Sequence, residues 1–366
     1  MAISDLLKNF LFAAAADGID QAQAYWLKMS GVLEAMAEKD AHAAFLRHFW
    51  SSYHGLTRER EIFKSAKSLV KNKKDALRLC DDLSRNARIY SALASPEHAY
   101  WKRFNPESKE HVASFSVLRM TQVRPLLLAV CDIFTPNEVL KSLRVLVAAS
   151  VRILVSQSRG GTIEKLYAAL ALSVRNKTVR NAITLRDTLA TQVPANAEFE
   201  DEFRNARVSK DYLARYYLRL LERRINEDHA GLVVSENTAD ITLEHILPEN
   251  TTADWDHFDD ETHASYVNRL GNLCLLAEND NASLGNGSFA AKKKAYRASS
   301  LKLTQQIATE QSWTRKEIED RSAKLASLAV KAWPLSVDMV KPAKAKGEAM
   351  PAKKRAPTTR VIMRRT

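Results

Sequence analysis

From residue 1 to about residue 230, apolar side chains recur every three to four positions, and little interrupts them. That spacing stacks one stripe of side chains along a helix and ill suits a strand, whose faces alternate at every residue. Leu6, Leu7, Phe10 and Phe12 form such a stripe over Asp5–Phe12, and Phe45, Leu46, Phe49 and Trp50 form another. Val139, Leu140, Leu143, Leu146 and Val147 predict a long helix over Asn137–Val155, with Pro136 suited to its start. Gly160-Gly161 breaks the chain, and Thr162 is placed to cap a helix running to about Val174. Over Asp211–Ile225, Tyr212, Leu213, Tyr216, Tyr217, Leu220 and Leu221 share one face. Arg215, Arg219, Arg223 and Arg224 lie on or near the other, as a solvated face or a phosphate-facing one. Only ten Gly and ten Pro punctuate the 366 residues, so the predicted fold is mainly α.

The rhythm changes near residue 241. Ile241-Thr242-Leu243-Glu244-His245-Ile246-Leu247-Pro248 is strand-like and closes on a proline, and Leu270–Leu276 is a second short apolar run. An Asn-, Ser- and Gly-rich stretch over 279–288 leads into a basic helix over Phe289–Arg297. The predicted order is strand, connection, strand, helix. Two further helical patterns end near Trp333-Pro334, and residues 335–366 lack apolar periodicity and read as a disordered tail. The expected division is a helical domain over 1–205, a second domain over 206–334 and the tail over 335–366.

The net charge is +12, and residues 341–366 supply +8 of it through nine Lys/Arg against one Glu. Such an arm attracts polyanions such as nucleic acid, although charge alone equally allows a tail with no specific partner. Cys80, Cys131 and Cys274 are scattered and odd in number, which argues against a zinc site or disulfide framework and fits a reducing cytoplasm. Leu143–Val155 is the most apolar stretch, but Arg144 and Arg152 interrupt it and it is too short to span a membrane. The run Phe10–Ala16 is better read as an amphipathic opening helix than as a signal peptide, because Asp5 precedes it and no good cleavage site follows. No phosphate-binding GxxxxGK[ST] loop and no GxGxxG fingerprint is present.

Glu244 and His245 bring a carboxylate and an imidazole together in one strand-like segment. Phosphodiester hydrolysis needs those groups: an imidazole to take a proton from water, and a hard divalent cation, held by a few oxygens, to neutralise charge at phosphorus. Strand neighbours point to opposite faces unless the strand ends or bends, and Pro248 suggests that it ends. Asn281 offers a second oxygen ligand from the loop or helix start beyond the second strand, though an Asn there serves equally as a helix cap.

Taken together, Leu243–Pro248, Leu270–Leu276, Asn281, Asn286, Phe289 and Lys292 resemble the C-terminal HNH-type domain of GmrSD-like restriction endonucleases. Trp255 and Trp313 sit where that family places tryptophans, and Ser4–Phe12 and Phe45–Trp50 resemble its preceding helical region, so the likeness spans most of 3–334. The resemblance implies a ββα-metal finger embedded in helices and a Mg²⁺- or Mn²⁺-dependent endonuclease that cuts DNA in defence against phage with modified bases. It implies His245 as general base, Glu244 and Asn281 as metal ligands, and Asn272 as a residue that braces the loop. Lys292, Lys293 and Arg297 are candidates for phosphate contact, or are merely solvated. Relatives also carry an N-terminal ParB-like nucleotide-hydrolysing domain with a motif near Asp-Gly-Gln-Gln-Arg, which has no counterpart here. A separate subunit supplying that half, or a truncated gene product, is expected to account for this. The alternative is a catalytically inactive module that docks a partner or binds nucleic acid.

Two other groupings are weaker. His257 and His263 flank Asp254, Asp256, Asp259, Asp260 and Glu261, which suggest a second metal site or, better, an exposed loop whose acids start a helix over Asp260–Arg269. His48 and Trp50 read as core residues, and the serines near Gly160-Gly161 lack a nucleophile-elbow pattern.

Overall fold

The structure, a computed structural model, describes residues 2–36, 38–156, 160–226 and 240–337. Twelve α-helices occupy the first part of the described chain: α1 (Ile3–Ala15), α2 (Ile19–Glu34), α3 (Ala41–His54), α4 (Glu59–Leu69), α5 (Lys73–Ala94), α6 (Glu107–Val117), α7 (Arg124–Ile133), α8 (Pro136–Val155), α9 (Gly160–Arg175), α10 (Ala182–Ala190), α11 (Asn196–Asn205) and α12 (Asp211–Ile225). Strands β1 (Ile241–His245) and β2 (Leu273–Ala277) follow, with α13 (Asp260–Tyr266) between them. Then come α14 (Glu278–Leu284), α15 (Phe289–Ala298), the single turn α16 (Lys302–Gln305) and α17 (Arg315–Ala332). The protein is mainly α, with one small two-stranded sheet near its C-terminal end.

Local chemistry sets several of these boundaries. Thr135 caps α8 by accepting from Glu138 N, with Pro136 at the first helical position where a missing N–H costs nothing. Asn72 and Asn181 cap α5 and α10 in the same way. Thr314 and Glu317 form a reciprocal capping box at the start of α17. Thr162, in contrast, is not a cap: α9 already begins at Gly160 and includes it. Asp259 caps α13, which ends at Tyr266, short of the expected Arg269.

The apolar stripes meet in one large core. Leu7, Leu11, Phe45, Trp50, Leu146 and Tyr90 are all fully buried in it. Each such side chain contributes roughly 1.5–3 kcal/mol by leaving water. The same core crosses the expected boundary at residue 205, because α11, α12 and α17 line it together with α8. Leu335 and Val337 also pack there, so the first residues of the expected tail belong to the folded body; residues 338–366 lie outside the described residues. Arg215, read from sequence as solvated or phosphate-facing, is buried and donates to the carbonyl of Ile241 at the start of β1.

The hairpin is antiparallel, with Ile241 opposite Ala277 and His245 opposite Leu273. One face, carrying Leu243, Leu273 and Leu275, packs on the large core. The other, with Cys274 and Leu276, closes a second, smaller core with Ile246, Leu247, Trp255, Tyr296 and Trp313. Burial on both sides explains why β2 is a continuous apolar run rather than an alternating one. Gly271, just before β2, is pressed against α17: a Cβ there would lie 2.2 Å from Ser322 Oγ and 2.3 Å from the Ile318 carbonyl.

Candidate active site

Two adjacent residues end β1, and the ladder sends them to opposite faces. Pairing persists through His245–Leu273, so Pro248 does not release the strand early enough to bring Glu244 and His245 to one side. The expectation that these two groups share a site is therefore corrected.

Glu244 faces the small core and is only 7% exposed. Its Oε1 accepts from Lys292 Nζ at 2.8 Å and from Tyr296 Oη at 2.9 Å. Both donors come from α15, one turn apart, a face that Ser288 orients by capping the helix. The Lys292 ammonium is fully buried and also donates to the carbonyls of His245 (2.9 Å) and Ile246 (3.2 Å). Burial, with Cys274 and Glu244 beside it, raises the Tyr296 phenol well above its ordinary range, so it stays protonated and donates. Burial likewise pushes the Cys274 thiol up to about 12, leaving it no nucleophile.

This arrangement fails the test of a metal ligand at Glu244. A cation there would meet an ammonium already 2.8 Å from the same carboxylate, and like charges in a buried site repel strongly. Lys292 is likewise corrected: with all three of its hydrogens directed inward, it is not a phosphate contact.

His245 lies on the other face, half-buried. Its Nε2 is 3.4 Å from Asn268 Oδ1 and 3.8 Å from Glu249 Oε1. Asn272, just before β2, is wholly buried and makes four side-chain hydrogen bonds. Its Nδ2 donates to the carbonyls of Leu247 and Val267, both at 2.9 Å. Its Oδ1 accepts from Leu247 N (2.8 Å) and Trp313 Nε1 (3.0 Å). These bonds tie the chain leaving β1 to the chain entering β2. Arg321 of α17 reinforces the second segment by donating to the carbonyls of Gly271 (2.7 Å) and Leu273 (2.8 Å).

Asn281, on α14, donates through Nδ2 to Thr242 Oγ1 (2.8 Å) and the Leu243 carbonyl (3.1 Å). Both amide hydrogens are thus committed to β1, and its Oδ1 remains as a donor atom for a cation. The structure does not join Asn281 to His245 by any hydrogen bond among the described residues. Lys293 reaches the Glu310 carbonyl at 2.6 Å, while Arg297 is exposed near the end of α15. His257 and His263 do not gather into a second metal site: their Nε2 atoms bond the carbonyls of Trp313 (2.9 Å) and Pro248 (2.8 Å). Among the described residues no cluster of three or more His, Cys, Asp or Glu is set to hold an ion.

Sequence reasoning missed Tyr296, Asn268, Trp313 Nε1 and Arg321 as site residues. The Lys292/Tyr296 spacing of four was the one local signal, since it puts an ammonium and a phenol on one helix face.

Residues 193–328 match the family model of GmrSD restriction endonucleases, C-terminal domain. This segment of the chain is similar to that domain. No curated protein matches the chain. The matched span begins with α11 and α12, takes in the whole hairpin and reaches into α17, so the helices that hold the hairpin belong to the GmrSD-type domain with it. A restriction endonuclease domain implies a nuclease whose substrate is DNA. No described helix is long and apolar enough to cross a membrane.

Proposed function

We propose that this GmrSD-like chain is a DNA endonuclease of the HNH type that hydrolyses phosphodiesters, with His245 as general base, in a modification-dependent defence against phage. The observation that carries this reading is the half-buried imidazole at the C-terminal end of β1, inside the segment that matches a restriction endonuclease domain. With Nε2–H donating to Asn268 Oδ1, Nδ1 keeps its lone pair and accepts a proton from the attacking water. Asn272, saturated by its four bonds, keeps the loop from shifting as the proton moves. Arg297 and the basic residues of 341–366 attract the polyanion.

A divalent cation, Mg²⁺ or Mn²⁺, would supply charge neutralisation at the phosphate when bound. Asn281 Oδ1 suits such an ion, and Glu244 as held by Lys292 does not.

A second reading has one observation in its favour: the neutralised Glu244 suits a non-catalytic module that binds DNA or docks a partner subunit. Nicking of supercoiled plasmid separates the two. The enzymatic reading expects nicked circles with Mg²⁺, none with EDTA, and a loss of about 10²–10⁴-fold on His245→Ala with the fold intact. Retarded but uncut plasmid under every condition supports the module instead.

A further inference from the structure

Three acceptors converge on the Lys292 ammonium: Glu244 Oε1, the His245 carbonyl and the Ile246 carbonyl. One of those carbonyls belongs to His245 itself, and the other to Ile246, the first residue past β1, whose N–H still bonds the facing Asn272 carbonyl at 3.0 Å. The ammonium therefore grips the backbone at the C-terminal end of β1, on the Glu244 side of the hairpin. Burying an ammonium and a carboxylate carries a desolvation cost that an apolar pair of similar volume would avoid. What the ion pair adds is direction: a charged donor bonds two carbonyls at fixed positions, which no methylene can do.

We infer that Lys292 is a positioning residue for His245, and that Glu244 is its buried counter-ion rather than a ligand of a catalytic cation. The inference rests on the reading of His245 given above. Removing the ammonium frees the His245 and Ile246 carbonyls and lets the imidazole drift from the geometry the reaction needs; a misplacement of about 1 Å costs on the order of 10²-fold in rate.

The test compares Lys292→Met and the charge-neutral pair Glu244→Gln/Lys292→Met with the parent protein. Circular dichroism establishes the fold, plasmid nicking gives kcat and KM, and the His245 ring resonance in a ¹³C-labelled sample reports the imidazole itself. The neutral pair is included because Lys292→Met alone leaves a buried carboxylate without a cation and can unfold the domain. The expected result is a fall in kcat of about 10–100-fold with KM within about twofold, together with a shifted His245 resonance, in the folded neutral pair. A folded neutral pair with parental kcat and an unmoved resonance overturns the inference. Mn²⁺ titration followed by electron paramagnetic resonance tests the counter-ion half. Affinity within about twofold of the parent on Glu244→Gln supports it, and a loss greater than about tenfold, the usual scale for a lost ligand partner, contradicts it. If His245→Ala nicks plasmid as fast as the parent, the general-base reading fails by itself, and the ring resonance still reports whether Lys292 sets the position of that side chain.

Discussion

The two cores of this protein are stabilised differently. The large helical core holds together by area: Leu7, Leu11, Leu146 and their neighbours lose all contact with water and need no particular partner. The small core behind the hairpin has few apolar residues and relies on side chains that clamp backbone. Asn272 makes three such bonds and a fourth to the Trp313 indole, Lys292 holds two carbonyls, and Arg321 grips the segment around Gly271. Glu222, 1% exposed on α12, accepts from Lys302 N and Leu303 N and fixes the turn α16. Apolar burial tolerates small shifts, whereas a hydrogen-bonded clamp does not. The region that carries His245 is thus the one built for fixed geometry.

The largest effect is expected at Asn272. Asn272→Ala strands the Leu247 N–H and carbonyl, the Val267 carbonyl and the Trp313 indole N–H; at about 1–3 kcal/mol per buried unpaired group, a loss of at least about 4 kcal/mol is expected. Urea unfolding measures it, and a loss under about 1 kcal/mol would break the contrast between the cores. Leu146→Ala in the large core should cost about 2–5 kcal/mol through cavity formation while leaving nicking per folded molecule unchanged. An equal loss of nicking would mean that the two cores are not separable. Gly271→Ala must push Ser322 or the Ile318 backbone aside, and we expect about 1–3 kcal/mol of destabilisation with a lower thermal midpoint.

The smallest effect concerns pH in the helical core. Burial first, then the charges of Arg47 and Arg124, lower the His48 pKa to about 3. The unfolded chain takes up a proton on this imidazole near pH 6.5 and the folded chain does not. The stability that His48 contributes is therefore present above pH 6.5 and is lost as the pH falls toward 3. Melting curves between pH 7 and 4 should fall less steeply in His48→Gln than in the parent; parallel curves would refute the assignment.

The helices were legible because their apolar stripes are long and rarely interrupted. The hairpin was legible from β-branched residues in one strand and a run buried on both faces in the other. The site was less so. Alternation along β1 already set Glu244 and His245 apart, but Pro248 suggested an earlier end to the strand than the ladder allows. A lysine in a basic helix reads as a phosphate contact until one knows that a buried carboxylate lies opposite, and Glu244 is 48 positions away. Gly271 carried a usable signal, since a glycine inside an apolar run often marks the close approach of another backbone.

Chemical rescue probes the role of His245 most directly. His245→Gly opens a space beside Asn268 into which free imidazole can diffuse. If the ring serves as the base, imidazole added to the folded, DNA-binding variant restores nicking in proportion to the concentration of its unprotonated form. Nicking by His245→Gly at the parental rate without imidazole, or a folded variant that binds DNA yet stays inert at every imidazole concentration, would contradict the account.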